Sequence, residues 1–195
     1  MVDFQTLLEE IRGCAVCAQA LPLGPRPVLV AKPSARLLII GQAPGTKVHE
    51  SGIPWNDRSG DRLRDWLALD QGRFYDPSLV AILPMGLCYP GVLPRGGDAP
   101  PRPECAPLWH DKVLAHLPNI SLTLLVGSYA QARYLERRRK RTLTETVRTW
   151  REYGTSVIPL PHPSWRTTGL ARKNPWFEAD LLPDLRARVA RVLSS

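Results

Sequence analysis

Arg36-Leu-Leu-Ile-Ile-Gly-Gln-Ala-Pro-Gly45 follows one arginine with four apolar residues in a row and then breaks into glycine and proline. A short apolar run without polar alternation predicts a strand buried on both faces, as in a parallel sheet covered by helices. Three further runs of the same kind follow: Leu79-Val-Ala-Ile-Leu-Pro84, Ser121-Leu-Thr-Leu-Leu-Val-Gly127 and Ser156-Val-Ile-Pro-Leu160. Helical spacing of apolar residues appears around them. Phe4, Leu7, Leu8 and Ile11 mark a helix over Asp3 to Arg12; Leu63, Trp66 and Leu67 mark one over Ser59 to Leu69. Leu108, Trp109, Val113, Leu114 and Leu117 mark a third over Cys105 to Leu117, and two more are expected over Tyr129 to Arg141 and Pro175 to Leu193. Strands alternating with helices predict an α/β fold, a three-layer αβα sandwich around a central four-stranded, mainly parallel sheet.

Outward from that core, 195 residues suit one domain, 1–195, and neither a repeat nor a dividing linker interrupts them. The first 33 residues form an arm that carries Cys14-Ala-Val-Cys17 and then a stretch from Leu21 to Pro33 whose four prolines deny it helix. Lys and Arg number 26 against 18 Asp and Glu, a net +8 that suits a polyanionic partner. No apolar run approaches the roughly 20 residues of a membrane span, so no membrane partner is expected. Met1 to Ile11 has no secretory pattern, so a cytoplasmic monomer is expected, in which four cysteines suit metal better than disulfides.

In such a sheet ligands bind where the carboxyl ends of the strands meet the loops that follow. Two loops there stand out: Gly41-Gln-Ala-Pro-Gly45 after the first strand and Pro161-His-Pro-Ser-Trp-Arg166 after the last. Each combines constrained or permissive backbone with one polar group poised to act. Together with Gly52-Ile-Pro-Trp-Asn-Asp-Arg-Ser-Gly60, they resemble the signature motifs of the uracil-DNA glycosylase superfamily. The nearest pattern is that of its iron–sulfur-containing, family 4-like branch, with Gly-Glu-Ala-Pro-Gly, Gly-x-Pro-Phe-x-x-x-x-Gly and His-Pro. The branch also holds a cluster through Cys-x2-Cys, a third cysteine about 70 residues on and a fourth some 15 beyond. Here Cys14 and Cys17 are followed by Cys88 after 70 intervening residues and by Cys105 after 16 more. The resemblance therefore implies a 4Fe-4S cluster on Cys14, Cys17, Cys88 and Cys105; zinc on four thiolates is the alternative.

What the resemblance implies for function is base excision from DNA, the damaged base being flipped out and its N-glycosidic bond hydrolysed. His162 stands where the family's histidine stabilises the departing base, and Gln42 where the branch has a glutamate. Gln42 can orient a water but supplies no charge, and His49 and Glu50 are further candidates for the catalytic polar group. Ala43 and Trp55 are expected at the base, with Trp55 stacking on it, and Asn56 is a candidate for reading its edge. The branch usually reads uracil with an asparagine four residues before the third cysteine, where this chain has Pro84. Uracil, hypoxanthine and xanthine are thus all candidate bases. Ser164, Trp165, Arg166 and Lys173 are the expected DNA contacts, with Trp165 or Arg166 as the wedge; Arg172 is a further phosphate contact. The run Arg137-Arg-Arg-Lys-Arg141 reads as a solvated helix end. With no lysine in these motifs, a monofunctional glycosylase is expected. The alternative is a non-catalytic iron–sulfur nucleic-acid-binding module of the same fold.

Overall fold

The computed structural model describes residues 3–94, 96–165 and 167–194. The four apolar runs are strands β1 (Leu37–Ile40), β2 (Val80–Ile82), β3 (Leu122–Val126) and β4 (Val157–Leu160). They pair in the order β2-β1-β3-β4, every neighbour parallel, with Ile39 opposite both Ile82 and Leu124. Pro159 lies in β4, an outer strand, where a missing amide hydrogen is tolerated. The other edge, β2, is met by the N-terminal arm: Val30 forms an antiparallel bridge with Ile82. Covering an edge in this way leaves fewer unpaired backbone groups open to a stray strand.

The α-helices of the described residues are α1 (Phe4–Arg12), α2 (Thr46–Ser51), α3 (Arg58–Leu67), α4 (Gln71–Phe74), α5 (Cys105–Leu114), α6 (Ser128–Leu135), α7 (Leu143–Arg148), α8 (Thr167–Lys173) and α9 (Leu182–Ser194). Alternation along each strand divides the core into two. Leu37 and Ile39 pack with Leu63 of α3 and with Leu185 and Val189 of α9. Leu38 and Ile40 pack on the opposite face with Ile11 of α1, Trp109 and Val113 of α5 and Leu135 of α6. The result is the expected three-layer sandwich. Burying each such Leu or Ile contributes about 1.5–3 kcal/mol.

Two helix expectations need correction. The helix expected through Arg141 ends at Leu135; Glu136 turns to φ 47 and Glu136–Arg138 make a single 3-10 turn. Five adjacent cations repel one another on one helix end, and here two of them, Arg138 and Lys140, meet the turn before β4. Lys140 pairs with Glu152 at 2.5 Å, and the Arg138 guanidinium lies 5.3 Å from the centre of the Tyr153 ring. The C-terminal helix is also not continuous, since a π-helical turn over Phe177–Leu181 precedes α9. Pro183 has no N–H to donate to the preceding turn, so a regular ladder breaks there. Helix α7 was not expected at all. A capping box starts it, the Thr142 hydroxyl accepting from the Glu145 N–H while the Glu145 carboxylate accepts from Thr142 N–H.

Candidate active site

The loop after β1 enters the site through Gly41, and only glycine fits there: a Cβ would lie 2.7 Å from Cζ2 of Trp55. Hydrogen bonds from Met85 N to the Gly41 carbonyl and from Gly86 N to the Gln42 carbonyl tie this loop to the segment after β2. Helix α2 then runs to Gly52, whose φ of 72 ends it in the left-handed conformation glycine adopts freely. Trp55 follows at φ 57, unusual for so large a side chain. Its carbonyl accepts from the Tyr75 hydroxyl at 3.2 Å and from Arg64 at 3.4 Å, and Arg64 is itself paired with Asp61. Two residues on, Asp57 caps α3 by accepting the Gly60 N–H at 2.8 Å.

From the far side of the sheet comes the loop after β4. The His162 carbonyl accepts from Ser164 N at 2.8 Å and from the Thr167 hydroxyl, which fixes the sharp turn into α8. The His162 and Trp55 rings lie side by side with centroids 5.6 Å apart and planes at 35°. Both rings line a cleft at the carboxyl edge of the sheet, together with Gly41 to Gly45, Asp57, Ser59, Pro84 and Asp98. Burial pulls His162 below the usual imidazole value, against the opposing pull of Asp57 and, more weakly, Asp98. Near neutral pH it is therefore an uncharged imidazole. Neutral imidazole keeps one N–H to donate while adding no charge of its own.

A second cavity shares no lining residue with the first. Cys14, Cys17, Cys88 and Cys105 all line it, with Arg102, Glu104 and Trp109. Burial raises the Cys17, Cys88 and Cys105 thiols; Cys105 is pushed up to about 11, the nearby Cys88, Cys17 and Cys14 adding to the effect. Leu87 N donates to the Cys105 sulfur at 3.3 Å. Among the described residues no three His, Cys, Asp or Glu side chains are gathered tightly enough to hold a single metal ion. The four thiols ring a cavity and do not meet at a point.

The family model of the uracil-DNA glycosylase superfamily matches residues 29–186. The chain belongs to the uracil-DNA glycosylase superfamily. With that membership comes a DNA glycosylase type of function, hydrolytic and acting on DNA. The matched span contains both loops of the cleft and two of the four cysteines, Cys88 and Cys105. No helix among the described residues is long and apolar enough to cross a membrane.

Within the superfamily fold, the expected site residues divide. Gln42, Ala43, Trp55 and His162 come together in the cleft. Glu50 and Asn56 are exposed and do not line it. His49 turns instead to Tyr89, ring centroids 6.0 Å apart, with its Nδ1 buried and unpartnered. Ser164 is half-buried, its carbonyl held by Arg62, whereas Trp165 is 76% exposed and Lys173 is exposed at the end of α8. Arg166 lies outside the described residues. Three polar residues of the cleft escaped sequence reasoning: Asp57, Ser59 and Asp98. Asp57 and Ser59 lay in plain view inside the Gly52–Gly60 motif, and a carboxylate directly before a helix was a signal for a cap. Asp98 gave none, since it sits in a glycine- and proline-rich stretch and reaches the cleft through a bridge with Val92.

Proposed function

We propose that this protein is a monofunctional DNA glycosylase that hydrolyses the N-glycosidic bond of a deaminated base, uracil first among the candidates. The observation that carries the reading is that Trp55 and His162 line one cleft side by side, their ring centroids 5.6 Å apart. An aromatic face holds a flipped base by stacking, about 1–3 kcal/mol per base. The His162 N–H then donates to the base oxygen as negative charge develops, and a fixed donor in a partly dry site stabilises that charge without reorganisation. Among the described residues no lysine lines the cleft, which favours direct attack by water over a Schiff base. Trp165, largely exposed beside His162, is suited to fill the gap left in the duplex, and Arg172 and Lys173 to neutralise phosphates.

The second cavity supports a 4Fe-4S cluster on Cys14, Cys17, Cys88 and Cys105 in the same reading. Four thiols around one cavity are the donor set for such a group. Trp109 Nε1 and Arg102 Nε are buried donors without partners, and both residues line this cavity. Cluster sulfides are acceptors that match them. The cluster would brace the fold; no step of base release is assigned to it.

A second reading, a non-catalytic nucleic-acid-binding module, draws on two features. The Gln42 amide is committed to the Ala99 carbonyl at 3.5 Å, and Pro84 brings no polar side chain to the cleft. Oligonucleotides carrying uracil, hypoxanthine, xanthine or no lesion, followed by alkaline cleavage, separate the two. Base release from one of them, slowed about 100- to 1,000-fold by His162→Ala, is the expected result. Binding without release from any of them favours the module.

A further inference from the structure

We propose that Asp57 is the catalytic carboxylate of this cleft, orienting and deprotonating the water that attacks the sugar. The inference rests on the glycosylase reading and deepens it. An acidic group favours the chemistry, because positive charge grows on the sugar while the base departs. Gln42 is neutral, and its amide nitrogen is bonded to Ala99 in the 91–99 loop. Asp57 lines the same cleft as Trp55 and His162. Its Oδ1 accepts the Gly60 N–H at 2.8 Å, which fixes the carboxylate at the start of α3. Its Oδ2 lies on the side of the loop after β1, 4.0 Å from where a Cβ of Gly45 would stand. One oxygen anchored and the other turned toward the motif loop is the arrangement a positioned general base needs. Among the described residues no salt bridge neutralises it.

Asp98 is the competitor, since it lines the cleft as well. It is exposed on a loop, and of the two carboxylates it exerts the weaker influence on His162. An exposed side chain without an anchor holds a water less well than one fixed by a helix cap. In the step itself the C1′–N bond breaks with its electron pair leaving on the base. The water oxygen bonds to C1′, and the water proton passes to the Asp57 carboxylate. His162 holds the base anion until it takes up a proton, from Asp57 or from solvent.

Asp57→Asn tests this cleanly, because asparagine caps a helix as well as aspartate does and so preserves the start of α3. Single-turnover release of whichever base the wild-type protein excises is measured for Asp57→Asn and Asp98→Asn. Affinity for an abasic-site oligonucleotide is measured alongside. The expected result is a loss of about 100- to 10,000-fold in rate for Asp57→Asn with affinity unchanged, and a distinctly smaller loss for Asp98→Asn. An Asp57→Asn protein that still releases base at the wild-type rate overturns the inference and leaves the glycosylase reading standing. So does one that loses affinity in step with rate, which marks Asp57 as structural. Wild-type protein inert on every base overturns the glycosylase reading and this inference with it.

Discussion

Trp55 occupies a left-handed backbone conformation, φ 57, which costs a non-glycine residue about 1–2 kcal/mol. What holds it there is the grip on its carbonyl from Tyr75 and Arg64, the latter packed 5.3 and 5.4 Å from the Phe74 and Tyr75 ring centres. Gly60 completes the arrangement from below, since a Cβ on it would overlap the Trp55 carbonyl oxygen. In an ordinary helix Gly→Ala gains about 1 kcal/mol. At Gly60 the sign is expected to reverse, with Gly60→Ala destabilising by about 1–3 kcal/mol as Trp55 is pushed out of place. A urea melt reads the stability, and base release falls in the same variant because the stacking face moves. Equal or greater stability of Gly60→Ala would show that the carbonyl clamp is loose. Neither the positive φ nor the clamp was legible in the sequence, because tryptophan has no local preference for that conformation.

At the scale of elements, α5 and α6 are locked together and to the end of β2 by one buried histidine. His110 on α5 donates from Nε2 to the Pro84 carbonyl at 3.1 Å, so in its neutral form its Nδ1 accepts from the Tyr134 hydroxyl of α6 at 2.6 Å. Burial lowers its pKa from 6.5 to about 4. Between those values the unfolded chain binds a proton that the folded one refuses, so stability must rise with pH there. The stability due to His110 is whole above about pH 6.5 and drains as the pH falls toward 4, by about 3 kcal/mol in all. Urea midpoints at pH 7 and pH 5 should therefore differ more for the wild type than for His110→Gln, which has no proton to take up. Equal pH dependence in the two proteins would remove His110 from the account. The apolar face of α5 was legible from its spacing, but the partners of His110 come from elements 26 residues before it and 24 after it.

Over the whole molecule, the segment from Pro84 to Cys105 connects the two cavities. Pro84 and Asp98 line the cleft, and Cys88 and Cys105 line the cysteine cavity, to which the N-terminal arm brings Cys14 and Cys17. A cluster there would fasten the arm and this strap to the sheet. Protein prepared without oxygen is expected to be brown and to carry about four irons on its four thiolates. Removing the iron, or changing Cys88 to Ser, should lower Tm by roughly 10 °C, about 3 kcal/mol for a chain of this size. Protease cuts should then concentrate in the strap before the sheet is touched. Colourless protein with one tightly held zinc would put a different ion in the cavity.

The two cores and the two motif loops were determined by the sequence itself, for a local reason. Apolar runs such as Leu37–Ile40 must be buried whatever surrounds them, and glycine and proline end a strand wherever they stand. Only tertiary structure decided which polar groups meet. It brought Asp57 and Asp98 to His162 and left Glu50 and Asn56 exposed, outside the cleft. It also ended α6 at Leu135 and drew the basic run onto Glu152 and Tyr153. These outcomes depend on a strained turn at Trp55 and on contacts between residues far apart in the chain, and no single stretch of sequence carries that information.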